Sequence, residues 1–214
     1  MNASTERLTL QGPVGAIEVL RDTPDASVAA RGVAVIAHPH PLFGGTMDNK
    51  VVQTLARAFV QCGWTAVRFN FRGVGASAGV HDEGRGEAED FGAVLAQLAG
   101  DGPLALAGFS FGAFVTSRAL AALPPERAVE QLVLVGTAAS RFEVATIPSG
   151  MHARTLVVHG EQDDTVPLSA VLDWARPQSL PVTVVPGGGH FFHGQLPLLK
   201  GLVVRHLLQG AASL

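Results

Sequence analysis

The sequence predicts an α/β fold: a mostly parallel sheet opened by an N-terminal antiparallel hairpin, with helices on both faces and no cap domain. Two observations carry this. From Gly32 onward, short apolar β-type runs alternate with helical patterns, the signature of a parallel sheet covered on both sides. The 214 residues, 47% hydrophobic and 15% charged, suit one compact domain spanning 1–214 that buries a sizeable core, with no repeat or low-complexity linker dividing it.

The elements follow in order. Arg7 to Leu10 and Ala16 to Leu20, separated by Gly12-Pro13, read as the hairpin, followed by a loose connection through Asp22-Thr-Pro-Asp25. The parallel strands are expected at Val33–Ala37, Thr65–Phe69, Leu104–Gly108, Gln131–Val135, Thr155–Val158 and Val182–Val185. Between them, Val52, Leu55, Ala56 and Phe59, and again Phe91, Val94, Leu95 and Leu98, recur at the spacing of one-sided surface helices. Gly63 and Gly100 stop those helices. Phe111 to Leu123 reads as a helix that follows a strand at once, Pro167 can open another, and Leu198, Leu199, Leu202, Val203 and Leu207 carry the last. Only the segment from Ala138 to Ala153 could host a cap, and it is too short for one.

Composition excludes several classes of function. A net charge of −3, with 15 scattered Lys and Arg, offers no footprint for nucleic acid or an anionic membrane surface, so a small-molecule partner is expected. One cysteine, Cys62, excludes an intrachain disulfide, and its place at an apolar helix end suits a buried structural thiol. The N-terminus from Met1 to Arg7 has no leader pattern, and the apolar window from Gly102 to Ser117 is shorter than the ~20 residues of a membrane span. A soluble, cytoplasmic protein is the expectation; nothing in the sequence fixes its oligomeric state.

The most informative motif is Gly108-Phe109-Ser110-Phe111-Gly112, between the strand from Leu104 and the helix from Phe111. Such a strand-to-helix turn is so tight that the residues two before and two after the serine must be nearly free of side chain. It presents the hydroxyl above the sheet. A second copy of the spacing, Gly75-Ala-Ser77-Ala-Gly79, follows Arg72-Gly-Val-Gly outside any strand and enters the charged segment from His81 to Glu87, so Ser77 reads as a loop serine.

A serine hydroxyl needs an imidazole base, which in turn needs a carboxylate to fix its tautomer. The loop after Thr155–Val158 supplies Glu161, Asp163 and Asp164 before Pro167. Asp163 is chosen over Asp164, which reads as a helix cap, and over Glu161, which lies too close to the strand end. After the last strand, Pro186-Gly-Gly-Gly-His190-Phe-Phe-His193 places His190 on a glycine-rich loop at the same sheet edge, and His193 reads as a surface or capping residue. His81, His152 and His206 read as solvated, and His159 as a structural residue at a strand end.

Backbone donors for an oxyanion are expected at Phe111, which follows the serine, and at His40. In His38-Pro39-His40-Pro41 the prolines carry no N–H, which leaves His40 as the first free donor beyond the strand, with Leu42 in reserve. A metal pair at His38 and His40 is not expected, because Leu42 and Phe43 stand where a binuclear hydrolase would have Asp-His; neither metal nor cofactor is called for. Arg72 with Glu87 and Asp90 reads as a structural ion pair. Phe43, Phe109 and Phe191 are the candidates for a substrate pocket, with Phe111 and Phe142 as further wall residues and Phe192 as core or wall.

With Ser110, Asp163 and His190 in this order, the chain resembles the α/β-hydrolase fold superfamily. His38-Pro-His-Pro-Leu-Phe-Gly-Gly-Thr-Met-Asp-Asn-Lys50, Phe69-Asn-Phe-Arg-Gly-Val-Gly-Ala-Ser77, the elbow, and His190-Phe-Phe-His193 look like the small lid-less bacterial hydrolases related to dienelactone hydrolases and carboxylesterases. The likeness runs from about Leu8 to the last helix. It departs from true dienelactone hydrolases in having serine where those use cysteine as nucleophile. The resemblance implies ester hydrolysis as a class: a small-molecule ester cleaved through Ser110, His190 and Asp163. A thioesterase or small-peptide hydrolase with the same residues is the alternative, and a non-catalytic binding module on a hydrolase fold is a further one, against which the presence of all three residues argues.

Overall fold

The computed structural model of the protein describes residues 4–209. The first three residues of the N-terminal segment read above, and residues 210–214, lie outside that range. Within the described residues eight strands form one sheet: β1 (Ser4–Gly12), β2 (Gly15–Thr23), β3 (Gly32–Ala37), β4 (Trp64–Phe69), β5 (Leu104–Phe109), β6 (Gln131–Val135), β7 (Thr155–Gly160) and β8 (Val182–Val185). Their spatial order is β1-β2-β4-β3-β5-β6-β7-β8. β1 and β2 pair antiparallel from Ser4↔Thr23 to Gly12↔Gly15, and β2 joins β4 antiparallel; every later pairing is parallel. The hairpin strands outrun the apolar stretches that announced them: β1 is the edge strand, where Glu6 reaches solvent, and β2 is extended by polar residues that find partners, Arg21 with Glu6 and the buried Asp22 with Arg68.

Among the described residues five α-helices cover the sheet: α1 (Lys50–Gln61), α2 (Arg85–Leu98), α3 (Phe111–Ala121), α4 (Leu168–Ala175) and α5 (Leu196–Gln209). Strand residues alternate between two cores. Ala105, Ala107 and Phe109 face a core with Leu55 and Phe59 of α1 and Leu199, Val203 and Leu207 of α5. Leu104 and Leu106 face the other, with Phe91 and Val94 of α2 and Val115 of α3. Burial on both faces is why β5 and β6 read as unbroken apolar runs.

Local chemistry sets the boundaries. Asn49 Oδ1 accepts from the Val51 N–H at 2.8 Å and starts α1, while Pro167 stands just before α4. α2 begins six residues before its first apolar stripe residue, Phe91, because Glu87 reaches back to accept from the Gly84 N–H at 2.8 Å. Between β6 and β7 the chain carries one short 3-10 turn, Ser149–Arg154, and no cap domain. No helix among the described residues is long and apolar enough to cross a membrane.

Candidate active site

Ser110 sits between the end of β5 and the start of α3 with φ 58° and ψ −117°, a conformation an L-residue holds only at a cost of roughly 1–3 kcal/mol. The flanking glycines permit it. A Cβ on Gly108 would stand 2.3 Å from the Gly112 carbonyl oxygen, and one on Gly112 would stand 2.4 Å from the Ala37 oxygen. Both obstacles are backbone and cannot swing aside. The elbow is further pinned by the Ser110 N–H, which donates to the Val135 carbonyl at 2.8 Å.

Three parallel-strand loops converge here. The Ser110 Oγ lies 2.9 Å from His190 Nε2, and His190 Nδ1 lies 2.7 Å from Asp163 Oδ2. With Nδ1–H donating to the carboxylate, Nε2 is left to accept from the serine hydroxyl. Asp163 Oδ1 accepts from the Thr165 and Val166 N–H groups at 2.9 and 2.7 Å, so the carboxylate cannot turn. Burial raises the Asp163 pKa, but the bonds from His190 and Val166 outweigh it and hold the carboxyl below its ordinary value. Asp164 is exposed, and Glu161 accepts from the Gly187 N–H; neither reaches His190. His193 is exposed beside Phe191. Gly160 lets the two loops close on each other, since a Cβ there would stand 2.3 Å from the Gly188 oxygen.

His159 belongs to this cluster, although its position at a strand end signalled only structure. Its ring is fully buried, with Nε2 2.9 Å from the Val166 carbonyl and 3.4 Å from Asp163 Oδ2. Its Nδ1 is buried without a partner. A carbonyl can only accept, so the proton is on Nε2. Burial pushes the His159 pKa down, which keeps this neutral tautomer. The ring therefore stands beside Oδ2 of Asp163, the same oxygen that His190 bonds.

Across the elbow, neither the His40 nor the Phe111 N–H donates to a protein acceptor among the described residues. Leu42, the reserve donor, is engaged: its N–H donates to His40 Nδ1 at 3.2 Å. The loop is braced by His38, whose Nδ1–H donates to the Pro39 carbonyl at 2.6 Å while Nε2 accepts from the Phe71 N–H at 3.0 Å. Both ring nitrogens are thus taken by backbone. Burial brings the His38 pKa down to about 4, and the imidazole is neutral at neutral pH. Gly45 completes the turn, because a Cβ there would strike the Pro39 oxygen at 2.1 Å.

A cleft of about 340 Å³ opens over Ser110 and His190, walled by His40, Phe43, Arg141 and Phe191 among others. Phe43 and Phe191 line it as expected, at 74% and 43% exposure. Phe109 does not: as the last residue of β5 it points into the α1/α5 core and is fully buried, its ring 5.0 Å behind that of His190. The Phe111 ring is also buried, Phe192 is core, and Phe142 stacks on Phe114 at 4.7 Å. A larger cavity of about 450 Å³ lies on the far side of the sheet edge, between the hairpin and α1, and holds none of the residues above.

The remaining polar residues divide clearly. Ser77 is a buried loop serine whose Oγ–H donates to the Asn70 carbonyl at 2.7 Å and whose oxygen accepts from the Glu18 N–H at 3.0 Å. Arg72 makes its expected ion pair with Asp90, twice at 2.9 Å, but adds Glu89 rather than Glu87. Glu87 instead bonds His81 at 2.7 Å, which draws His81 out of solvent and against the rings of His40 and Phe111. His152 and His206 are also half-buried rather than solvated; His152 Nε2 lies 3.0 Å from the Ile147 carbonyl.

An eight-stranded, mostly parallel sheet with a strained serine at the end of its central strand defines an α/β-hydrolase. Comparison with known proteins narrows this. Residues 29–152 match the model of the serine aminopeptidase S33 family of hydrolases, and the chain belongs to that family. It is similar to an α/β serine hydrolase without a lid from Xanthomonas campestris, 40% identical with a TM-score of 0.85 over 98% of this chain and 96% of the other. It is also similar to an α/β serine hydrolase homologue from Coxiella burnetii, 41% identical with a TM-score of 0.81 over 94% and 97%. An uncharacterized protein of Rickettsia prowazekii is 41% identical over 116 residues, and the match spans about half the length of each chain. The chain thus shares the α/β-hydrolase fold of these neighbours, belongs to a family of hydrolases, and carries no cap domain between β6 and β7.

Proposed function

We propose that the protein hydrolyses small carboxylic esters through an acyl-enzyme. The observation that carries this reading is the hydrogen-bonded chain from Ser110 Oγ through His190 to Asp163, at 2.9 and 2.7 Å. His190 Nε2 takes the hydroxyl proton as Ser110 Oγ attacks the acyl carbon; Asp163 stabilises the imidazolium that forms. The His40 and Phe111 N–H groups hold the oxyanion. Collapse of the tetrahedral intermediate expels the alcohol, which takes the proton from His190. Water, deprotonated by the same imidazole, then releases the acid and restores Ser110.

The alternatives, thioester or small-peptide hydrolysis, use the same machinery; membership of the serine aminopeptidase S33 family keeps the peptide reading in view. Esters are favoured because the cleft is small and uncapped, with an apolar rim of Phe43 and Phe191 suited to short acyl chains. No acidic side chain lines it to bind a free peptide amine. The test is a panel of p-nitrophenyl esters, thioesters and aminoacyl anilides assayed with the wild type and Ser110→Ala. Serine-dependent turnover of the esters, at a kcat/KM above that of the anilides, is expected. Serine-dependent cleavage of the anilides alone would replace the ester reading with the peptidase one.

A further inference from the structure

The cleft over Ser110 carries one permanent charge. Of the residues that line it, only Arg141 is always ionised, and no carboxylate lines it. Asp163 is buried behind His190. Among the described residues Arg141 has no carboxylate within ion-pairing distance. It is nonetheless placed: its guanidinium lies 5.9 Å from the centroid of the Phe43 ring, at the fringe of cation–π range. That ring is 74% exposed and itself lines the cleft. The cation therefore stands in the wall of the cleft that holds Ser110, beside the Phe43 ring.

We infer that Arg141 is an anion-recognition residue, and that the preferred substrates are esters carrying a carboxylate on one side of the scissile bond. This rests on the ester reading above and names the substrate class within it. The physical argument is one of complementarity. An unpaired guanidinium offers a planar fork of N–H donors that matches a carboxylate. A cleft with one sign of charge also enriches the oppositely charged substrate before contact. A neutral ester gains neither effect, and a cationic one is repelled.

The test compares substrates matched in length. On the acyl side, p-nitrophenyl hydrogen adipate is set against p-nitrophenyl methyl adipate; on the alcohol side, 4-acetoxybenzoate against its methyl ester. The wild type should prefer the anionic member of at least one pair by about tenfold in kcat/KM, and the pair that shows it identifies which side of the bond faces Arg141. Arg141→Gln should bring that ratio to about one and Arg141→Glu should invert it, whereas Arg57→Gln, a surface cation outside the cleft, should keep the wild-type ratio. Raising ionic strength from roughly 0.01 M to 0.5 M should erode the preference, since the Debye length falls from about 30 Å to below 10 Å. A wild type that favours neither anion, or a preference that survives Arg141→Gln, overturns the inference while leaving ester hydrolysis intact. If no member of the panel turns over, the ester reading fails on its own. Recognition is then decided by protection of Ser110 from a fluorophosphonate: adipic acid monoamide should slow labelling more than adipamide does, and equal slowing overturns it.

Discussion

Ser77→Ala separates the two G-x-S-x-G motifs by effects of opposite kind. The Ser77 oxygen is buried and makes two bonds, to the Asn70 carbonyl and from the Glu18 N–H, that fasten the loop after β4 onto β2. Alanine removes both and leaves the Glu18 N–H facing an aliphatic methyl. A lost neutral hydrogen bond costs about 1 kcal/mol, and a buried donor without a partner about 1–3 kcal/mol, so the variant should lose roughly 2–4 kcal/mol of stability. For a chain of this size that is on the order of 5–12 °C in melting temperature. Turnover is another matter, because Ser77 neither lines the cleft nor touches Ser110, His190 or Asp163. Urea unfolding at 25 °C and ester kcat/KM, measured on one preparation, read the two quantities separately. A variant as stable as wild type would refute the assignment of those two bonds, and one that loses activity while folded would refute the assignment of the elbow to Ser110 alone.

Other perturbations have equally definite outcomes. Asp163→Asn should cut ester kcat by about four decades, since the amide imposes the wrong imidazole tautomer, whereas Asp164→Asn should cost less than threefold. His159→Leu, which removes the N–H beside Asp163, should lower kcat about tenfold and move the acidic limb of the kcat/KM pH profile. His159→Gln, whose Nε2–H occupies nearly the same place, should restore both, and a loss shared equally by the two variants with an unmoved profile would reduce His159 to packing. Stability should fall with acid in a defined window: His38 is held at about pKa 4 against 6.5 unfolded, so the unfolded chain binds the extra proton between those values. That window is worth roughly 3 kcal/mol at full development. His38→Gln, which keeps an acceptor for the Phe71 N–H, should flatten the loss of urea midpoint between pH 6.5 and pH 4. An unchanged slope would show that His38 does not carry it. Activity on p-nitrophenyl esters should rise from acetate to butyrate at ~0.8 kcal/mol per buried methylene and then level off, because no cap extends the cleft. A rise continuing to palmitate would show a covered tunnel.

The fold was legible wherever burial on both faces left an uninterrupted apolar signal. β6 falls on the residues its sequence indicates and β5 differs by one, while β8, a half-exposed edge strand, was legible instead from its β-branched run Val182-Thr-Val-Val185. β1, β2 and the start of α2 were under-read because edge exposure of β1, ion pairing of Arg21 and Asp22 in β2, and capping by Glu87, rather than hydrophobicity, extend them. In the site, Ser110, Asp163 and His190 followed from spacing and chain order, which the parallel topology converts into proximity. Residues that act from behind were not legible. His159 reaches Asp163 only through the closeness of β7 to its own following loop, and His81 is drawn to Glu87 by a turn with no sequence signature. Phe109 was misjudged because one residue of register decides whether the last side chain of a strand faces the core or the cleft, and adjacency to a nucleophile cannot supply that register. Arg141 stood in a segment notable only for being too short to form a cap.

The central claim is that one serine of this chain is the nucleophile, and mass spectrometry of the fluorophosphonate-treated protein tests it most directly. The wild type should gain one adduct, localised by peptide sequencing to Ser110 and blocked by prior heat denaturation; Ser110→Ala should gain none and lose three or more decades of ester turnover. An adduct on Ser77 or any other serine, or a Ser110→Ala variant that still hydrolyses ester at a comparable rate, would contradict the account.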